Sequence, residues 1–170
     1  MFYIIISVCI LTLFIRDYYE FLKYRNKINT KNKVVFAIVF IAMGLMLTSW
    51  IIMGAYDPFR IILPLYIKWI GIGFLLVGFA LVFIAIFKLK GIENIDHLVT
   101  NGIFSKIRHP MYTGFILWII GWAAFHGSWL ALVIGIVAIA NILWWKKLEE
   151  IKLVFEYKEK YIDYRKSTWF

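Results

Sequence analysis

Hydrophobic and polar residues are segregated into long blocks along this chain. Apolar runs cover residues 2–15, 34–54 and 61–87, and polar or turn-forming residues separate them. The second run has 21 residues without a charge, about the length of a helix that crosses the hydrocarbon core of a bilayer. The first run is short, but aromatic and aliphatic residues up to Tyr24 extend it. We therefore predict three membrane-spanning helices within residues 1–87.

The second half of the chain predicts a helical hairpin. Two further apolar runs, 111–126 and 129–145, are joined by Gly127-Ser128. Each is short for a full crossing, so a tight hairpin is expected whether or not both arms cross completely. Residues 88–108 form a polar loop before it. Residues 146–170 form an amphipathic tail that predicts a helix on the membrane surface or folded back over the bundle.

Together these patterns predict an all-α integral membrane protein with one domain, residues 1–170. It has about five transmembrane helices, a C-terminal helical hairpin and a cytoplasmic amphipathic helix. Composition supports the class, because 63% of the residues are hydrophobic and the mean hydropathy is +0.81. Those values are too apolar for a soluble domain of this size.

Charge gives the expected orientation. The net charge is +9, but 17 of the 19 Lys and Arg residues lie in the three segments 16–33, 88–108 and 146–170. Basic residues in loops between apolar runs follow the positive-inside rule, which argues against nucleic acid as a partner. We expect these segments to face the cytoplasm, with the N-terminus outside and the C-terminus inside. The membrane is the cell membrane or the endoplasmic reticulum.

Metal and disulfide chemistry are not expected. The one cysteine, Cys9, lies inside an apolar run, so the chain has no disulfide framework. The histidines His97, His109 and His126 are not at metal-ligand spacing on one helix.

Candidate chemistry is concentrated where the basic loop meets the fourth apolar run. Pro110 suits the first position of a helix, and it biases His109 toward the cap position. Arg108, His109 and Tyr112 then place a cation, an imidazole and a phenol at the helix start, and we take them as catalytic candidates. The free N–H groups of that first turn favour an anionic ligand group.

The hairpin brings a second segment to the same height. His109 lies 18 residues before Gly127, and Lys146 lies 18 residues after Ser128, so antiparallel helices return both to one level. Glu149 and its neighbour Glu150 lie about one turn beyond. Adjacent helical residues point about 100° apart, so only one glutamate aims into the shared site. Such a pocket suits a zwitterion that carries hydroxyls and a flat ring. The simpler alternative for the two glutamates is a solvated helix end.

Two motifs in this region resemble those of a known family. The segments 98–104 (LVTNGIF) and 108–114 (RHPMYTG) look like the cofactor motif of the isoprenylcysteine carboxyl methyltransferases, and the related phospholipid methyltransferases are similar. The second half of the signature also fits, with Glu149-Glu150, Leu153 and the tyrosines at 157, 161 and 164. The resemblance covers about residues 96–165.

The resemblance implies S-adenosylmethionine as cofactor in a membrane bundle without a Rossmann domain. Leu98, Val99 and Phe104 would line its adenosine end, and Glu149 would accept hydrogen bonds from it. The full set of cofactor-binding candidates is His97, Leu98, Val99, Phe104, His109, Pro110, Met111, Tyr112, Glu149 and Glu150.

The chain departs from the family pattern at the substrate side. Trp145 stands where the prenylcysteine enzymes carry an Arg that grips the substrate, and Lys146 is beside it; we take both as substrate-binding candidates. Lys158 replaces the usual Gly.

The expected partners are membrane lipids and a lipophilic methyl acceptor that enters from the bilayer. That acceptor is a prenylated cysteine carboxylate, a phospholipid amine or a small thiol. A rival of another class is a non-catalytic membrane scaffold or small transporter, which predicts no cofactor binding.

Overall fold

The computed structural model describes residues 2–30, 32–89 and 97–170. Part of the predicted polar loop, residues 90–96, lies outside these ranges. A 3-10 turn at Gly102–Ser105 precedes the hairpin. The α-helices of the described residues are α1 (Phe2–Tyr24), α2 (Lys33–Ala55), α3 (Leu65–Leu89), α4 (Pro110–His126), α5 (Trp129–Tyr157) and α6 (Glu159–Ser167).

The all-α membrane class is confirmed. Within the described residues, α1, α2, α3 and α5 are long and apolar enough to cross a membrane. Helix α4 is equally apolar in character but has only 17 residues. Two boundaries differ from expectation. Helix α3 begins four residues later, directly after Pro64, and α5 continues well past Lys146 to Tyr157.

Helices α3 and α4 pack side by side through pairs of glycines. A Cβ placed on Gly78 would lie 2.6 Å from the carbonyl oxygen of Gly114, and the reverse distance is also 2.6 Å. Gly71 and Gly121 repeat this relationship one heptad away, at 2.8 and 2.6 Å. Small residues allow such close backbone approach between membrane helices. Gly73 of the same helix faces open space, since a Cβ there would meet nothing within 4 Å.

The turn of the hairpin is tied to the α2–α3 loop by Asp57. Its carboxylate, 3% exposed, accepts hydrogen bonds from Ser128 Oγ at 2.6 Å and from the backbone N–H groups of Leu130 and Phe59, both at 2.8 Å. Ser128 also caps α5 by accepting from Ala131 N–H at 3.0 Å. This arrangement fixes one end of the bundle, opposite the end that carries most of the basic residues.

The break between α5 and α6 occurs at Lys158. Its backbone has φ 48° and ψ −128°, a conformation that residues other than glycine rarely adopt. The break lets α6 turn back toward the 3-10 turn, where the Tyr164 hydroxyl donates to the Phe104 carbonyl at 2.6 Å. The predicted tail is therefore two elements: the end of α5 and a short helix that folds back over the bundle.

Candidate functional site

A cavity of about 510 Å³, lined by both charged and apolar side chains, opens at the basic end of the bundle and is called the polar cavity below. Helices α1, α4, α5 and α6 and the segment before α4 supply most of its walls, and Met43 of α2 and Leu89 of α3 also contribute. Nine of the ten residues predicted to bind a cofactor line it: His97, Leu98, Val99, Phe104, His109, Pro110, Met111, Tyr112 and Glu149. Such a volume is in the range of pockets that hold drug-sized ligands.

The start of α4 has the predicted geometry. His109 is the N-cap residue and Pro110 occupies the first turn, so Pro110 has no N–H to leave unpaired. The His109 imidazole is 7% exposed and stacks on the Tyr112 ring with centroids 5.5 Å apart. The helix start, an imidazole and a phenol therefore meet on one wall of the cavity.

The two adjacent glutamates of α5 separate as helical geometry requires. Glu149 lines the cavity, and its Oε2 lies 3.8 Å from His109 Nδ1. Glu150 lies outside the lining; its Oε1 is 3.3 Å from both His109 Nε2 and Arg108 Nε. Glu150 thus holds the imidazole and guanidinium in place, while Glu149 presents a carboxylate to the cavity.

Arg108 also links the α4 wall to the C-terminal segment. Its Nη1 donates to the carbonyl oxygens of Arg165 at 3.0 Å and Thr168 at 2.6 Å. Its backbone N–H donates to the Trp169 carbonyl at 3.0 Å. These contacts give Arg108 a structural role at the cavity edge in addition to lining it.

The two substrate-binding candidates lie in different places. Trp145 is 7% exposed and lines the cavity. Lys146 does not belong to the cavity lining. Its ammonium lies 3.8 Å from the centroid of the Phe170 ring, a cation–π contact with the C-terminal segment.

Tyr161 of α6 is a cavity residue that the list of candidates omitted. It is 1% exposed, and its hydroxyl has no hydrogen-bond partner among the described residues. Burial raises the pKa of this hydroxyl well above its ordinary value, with Glu150 adding to the shift. It therefore remains a hydrogen-bond donor at physiological pH. Its place in the quoted tyrosine motif was the signal that could have identified it.

A second, apolar cavity of about 410 Å³ adjoins the polar one. Its walls come from the bilayer-depth parts of the helices, including Val39, Trp50, Phe79 and Trp118. The residues that line both cavities are Arg16, Met43, Met111, Phe115 and Trp145. The polar cavity at the basic end of the bundle thus meets an apolar cavity between the helices.

The charged residues Arg16 and Glu20 of α1 were also missed as site residues. Both are buried, at 8% and 7% exposure, and both line the polar cavity. Opposite charges four residues apart at the end of an apolar run were a visible signal. Which way that face of α1 points was not visible, because it depends on the packing of distant helices.

Fold and site together define a membrane-embedded helical protein with a polar cavity at its basic end. The family model described as phospholipid methyltransferase matches residues 66–160, which is more than half of the chain. The chain belongs to this family. A protein-S-isoprenylcysteine O-methyltransferase from Schizosaccharomyces pombe is 34% identical over 83 residues. That match covers 45% of this chain and about a third (33%) of the relative's length. No solved structure matches the chain.

Proposed function

We propose that the protein is an S-adenosylmethionine-dependent methyltransferase that acts on a lipophilic acceptor at the cytoplasmic face of a membrane. The observation that carries the proposal is the junction of the two cavities: a polar chamber at the basic end adjoins an apolar one within the bundle. A polar methyl donor and a lipophilic methyl acceptor need such neighbouring cavities, because each molecule is then bound in surroundings of its own polarity. Membership of the phospholipid methyltransferase family supports the reaction class.

The residues of the polar chamber fit the chemistry of this cofactor. The Tyr161 hydroxyl is a buried donor without a protein partner, so a ligand acceptor atom there would satisfy it. Glu149 offers a carboxylate to ribose hydroxyls or an ammonium group. Leu98, Val99 and Phe104 offer apolar surface to an adenine ring. The N–H groups at the start of α4 favour a ligand carboxylate.

Bound there, S-adenosylmethionine supplies an electrophilic methyl group. The task of the protein is then to align donor and acceptor and to exclude water, since alignment supplies much of the acceleration in a direct displacement. His109 is fixed by Glu150 and by its stack on Tyr112, so this wall is preorganised. Tyr112 also interacts with Glu149, which links the two sides of the chamber.

The leading acceptor is an isoprenylcysteine carboxylate, as the name of the similar S. pombe protein suggests. The chamber residues would need only to position such a carboxylate beside the methyl group that the bound cofactor would supply, because a carboxylate already carries the electron pair of a nucleophile. No proton moves, so the chain needs no general base. The second candidate is a phospholipid amine, which the family match favours.

We also propose that the basic end faces the cytoplasm. Helix α1 then begins outside, and the C-terminal segment lies inside, as the positive-inside rule requires for the basic residues at that end. The membrane is the cell membrane or the endoplasmic reticulum.

Calorimetric titration of the detergent-purified protein with S-adenosylhomocysteine tests the cofactor assignment. We expect saturable binding that Glu149→Ala weakens about tenfold or more, the loss typical of a hydrogen bond to a charged group. The matched control is Glu159→Ala, an exposed glutamate at the start of α6 that does not line the cavity. Absence of binding by a folded wild-type protein would refute the proposal in favour of a scaffold or transporter.

A further inference from the structure

Helix α1 carries a charged cluster where the two cavities meet. Arg16 and Glu20 lie one turn apart and form an ion pair, with Nη2 2.5 Å from Oε1. The Lys23 ammonium lies 3.8 Å from the same carboxylate oxygen. The Asp17 carboxylate also interacts electrostatically with Arg16. Two cations and two carboxylates therefore lie together in a largely buried place, where bringing charge out of water is costly.

The guanidinium of Arg16 is held in a fixed position. Its central carbon lies 5.2 Å from the ring centroid of Trp145 and 5.2 Å from that of Tyr19. The Trp145 indole is fixed in turn, because its Nε1–H donates to Asp17 Oδ1 at 2.8 Å. Asn141 donates to the other oxygen of Asp17 at 2.9 Å. A planar guanidinium held between aromatic rings is preorganised to bind an oxyanion.

The position of the Arg16 guanidinium suits it to contact a lipid headgroup. Arg16 lines both cavities, whereas Glu20 and Lys23 line only the polar one. A lipid whose chain occupies the apolar cavity therefore places its headgroup at Arg16. Helix α1 also lies outside residues 66–160, so the family match assigns nothing to this cluster.

We propose that Arg16 binds the oxyanion of the acceptor headgroup, with Glu20 positioning its guanidinium. This inference rests on the proposed function and adds to it a specificity-determining residue. The shared chemistry is a lipid-borne oxyanion, either a carboxylate or a phosphodiester. Its negative charge complements the Arg16 guanidinium, which lines both cavities, and a charge-assisted hydrogen bond to Arg fixes the headgroup beside the polar chamber.

Equilibrium binding of three lipids in detergent micelles tests the inference. The probes are N-acetyl-S-farnesylcysteine, its methyl ester, and dioleoylphosphatidylethanolamine. Arg16→Gln should weaken binding of an oxyanion-bearing probe about tenfold or more, while the neutral methyl ester is unaffected. Arg25→Gln is the matched control, because it removes the same charge from an exposed residue just beyond α1. A response confined to the carboxylate or to the phosphodiester identifies the headgroup class.

The double variant Arg16→Gln/Glu20→Gln keeps the test decisive if Arg16→Gln alone does not fold. It removes both charges, so no carboxylate is left buried without its partner, and it should show the same loss of lipid affinity. The inference would be overturned if a folded variant bound both oxyanion-bearing probes as tightly as the wild type does. It would also be overturned if the wild type bound neither of these probes. S-adenosylhomocysteine binding is measured in parallel. If the wild type does not bind S-adenosylhomocysteine, the cofactor assignment is refuted. The role of Arg16 in lipid binding is judged separately, from the lipid titrations alone.

Discussion

Gly78 and Gly114 meet backbone to backbone between α3 and α4, each leaving no room for a Cβ on the other. The nearest atoms are the backbone carbonyl oxygens at 2.6 Å, so a side-chain rotation cannot relieve the crowding. Because α4 carries His109 and Tyr112 at its start, this contact also determines how the wall of the polar cavity is supported.

Gly78→Ala should therefore destabilise the bundle by about 1–3 kcal/mol, the usual cost of overpacking. Thermal unfolding in detergent measures the loss. Gly73→Ala on the same helix is the control, because a Cβ there meets nothing within 4 Å. Equal melting temperatures for the two variants would contradict the observed interface.

Tyr161→Phe should separate ligand affinity from stability. The hydroxyl has no protein partner, so removing it costs the unliganded fold nothing and relieves a buried unsatisfied group. Affinity for S-adenosylhomocysteine should fall about five- to tenfold, which corresponds to one lost hydrogen bond. Unfolding and calorimetry on the same preparations check both parts. A destabilised variant with full affinity would show that the hydroxyl serves the fold.

Lys158→Gly should stabilise the protein. The backbone of Lys158 at φ 48° and ψ −128° carries strain of about 1–3 kcal/mol for a residue with a side chain, and glycine removes it. The greater freedom of glycine in the unfolded chain offsets about 0.4–1 kcal/mol of that gain.

Lys160→Gly is the appropriate comparison for this substitution. Lys160 has the same charge but lies in α6, where glycine costs about 1 kcal/mol. Opposite shifts in melting temperature are expected for the two variants. Shifts of the same sign would show that Lys158 is not strained.

Asp57 should make stability depend on pH at the acid end. Burial by itself raises the pKa of this carboxyl, but hydrogen bonds from Ser128, Leu130 and Phe59 outweigh burial and hold the pKa below its ordinary value. A lowered folded pKa means that the carboxylate stabilises the fold at pH values above the unfolded pKa of about 4. The contribution is lost as the pH falls through the folded pKa.

Asp57→Asn should therefore lower the melting temperature at neutral pH, and the gap to wild type should close below about pH 4. Lost hydrogen bonds to a charged group predict a neutral-pH difference of about 1.5–3 kcal/mol. Asp163→Asn, an exposed residue of α6, is the control. A gap that persists unchanged to pH 3 would rule out this role for Asp57.

The parts of the site that depend on local geometry were predictable. Pro110 and His109 determine where α4 begins, and the 100° step between adjacent helical residues separates Glu149 from Glu150. That His109 and Lys146 lie at the same level of the hairpin followed from counting residues on both sides of Gly127-Ser128. None of these required knowledge of how α1 or α3 packs.

The parts that depend on tertiary context were not predictable. Charges beginning at Lys146 suggested that the spanning helix ends there, but Lys, Leu and Glu are good helix formers and α5 continues. The actual break uses a lysine in a glycine-like conformation. The resemblance places a glycine at this position, but the lysine itself gives no signal of a break. Arg16 and Glu20 were visible as a helical pair, but their place between two cavities depends on helices far away in the sequence.

The tie at Asp57 has a mechanical consequence. One carboxylate joins the α2–α3 loop to the turn of the α4–α5 hairpin, so the two helical pairs are fixed to each other at the end of the bundle away from the polar cavity. The glycine contacts hold α3 against α4 along their length as well. The wall that carries His109 is therefore supported at two places, at its far end by Asp57 and along its side by the pairs Gly78–Gly114 and Gly71–Gly121.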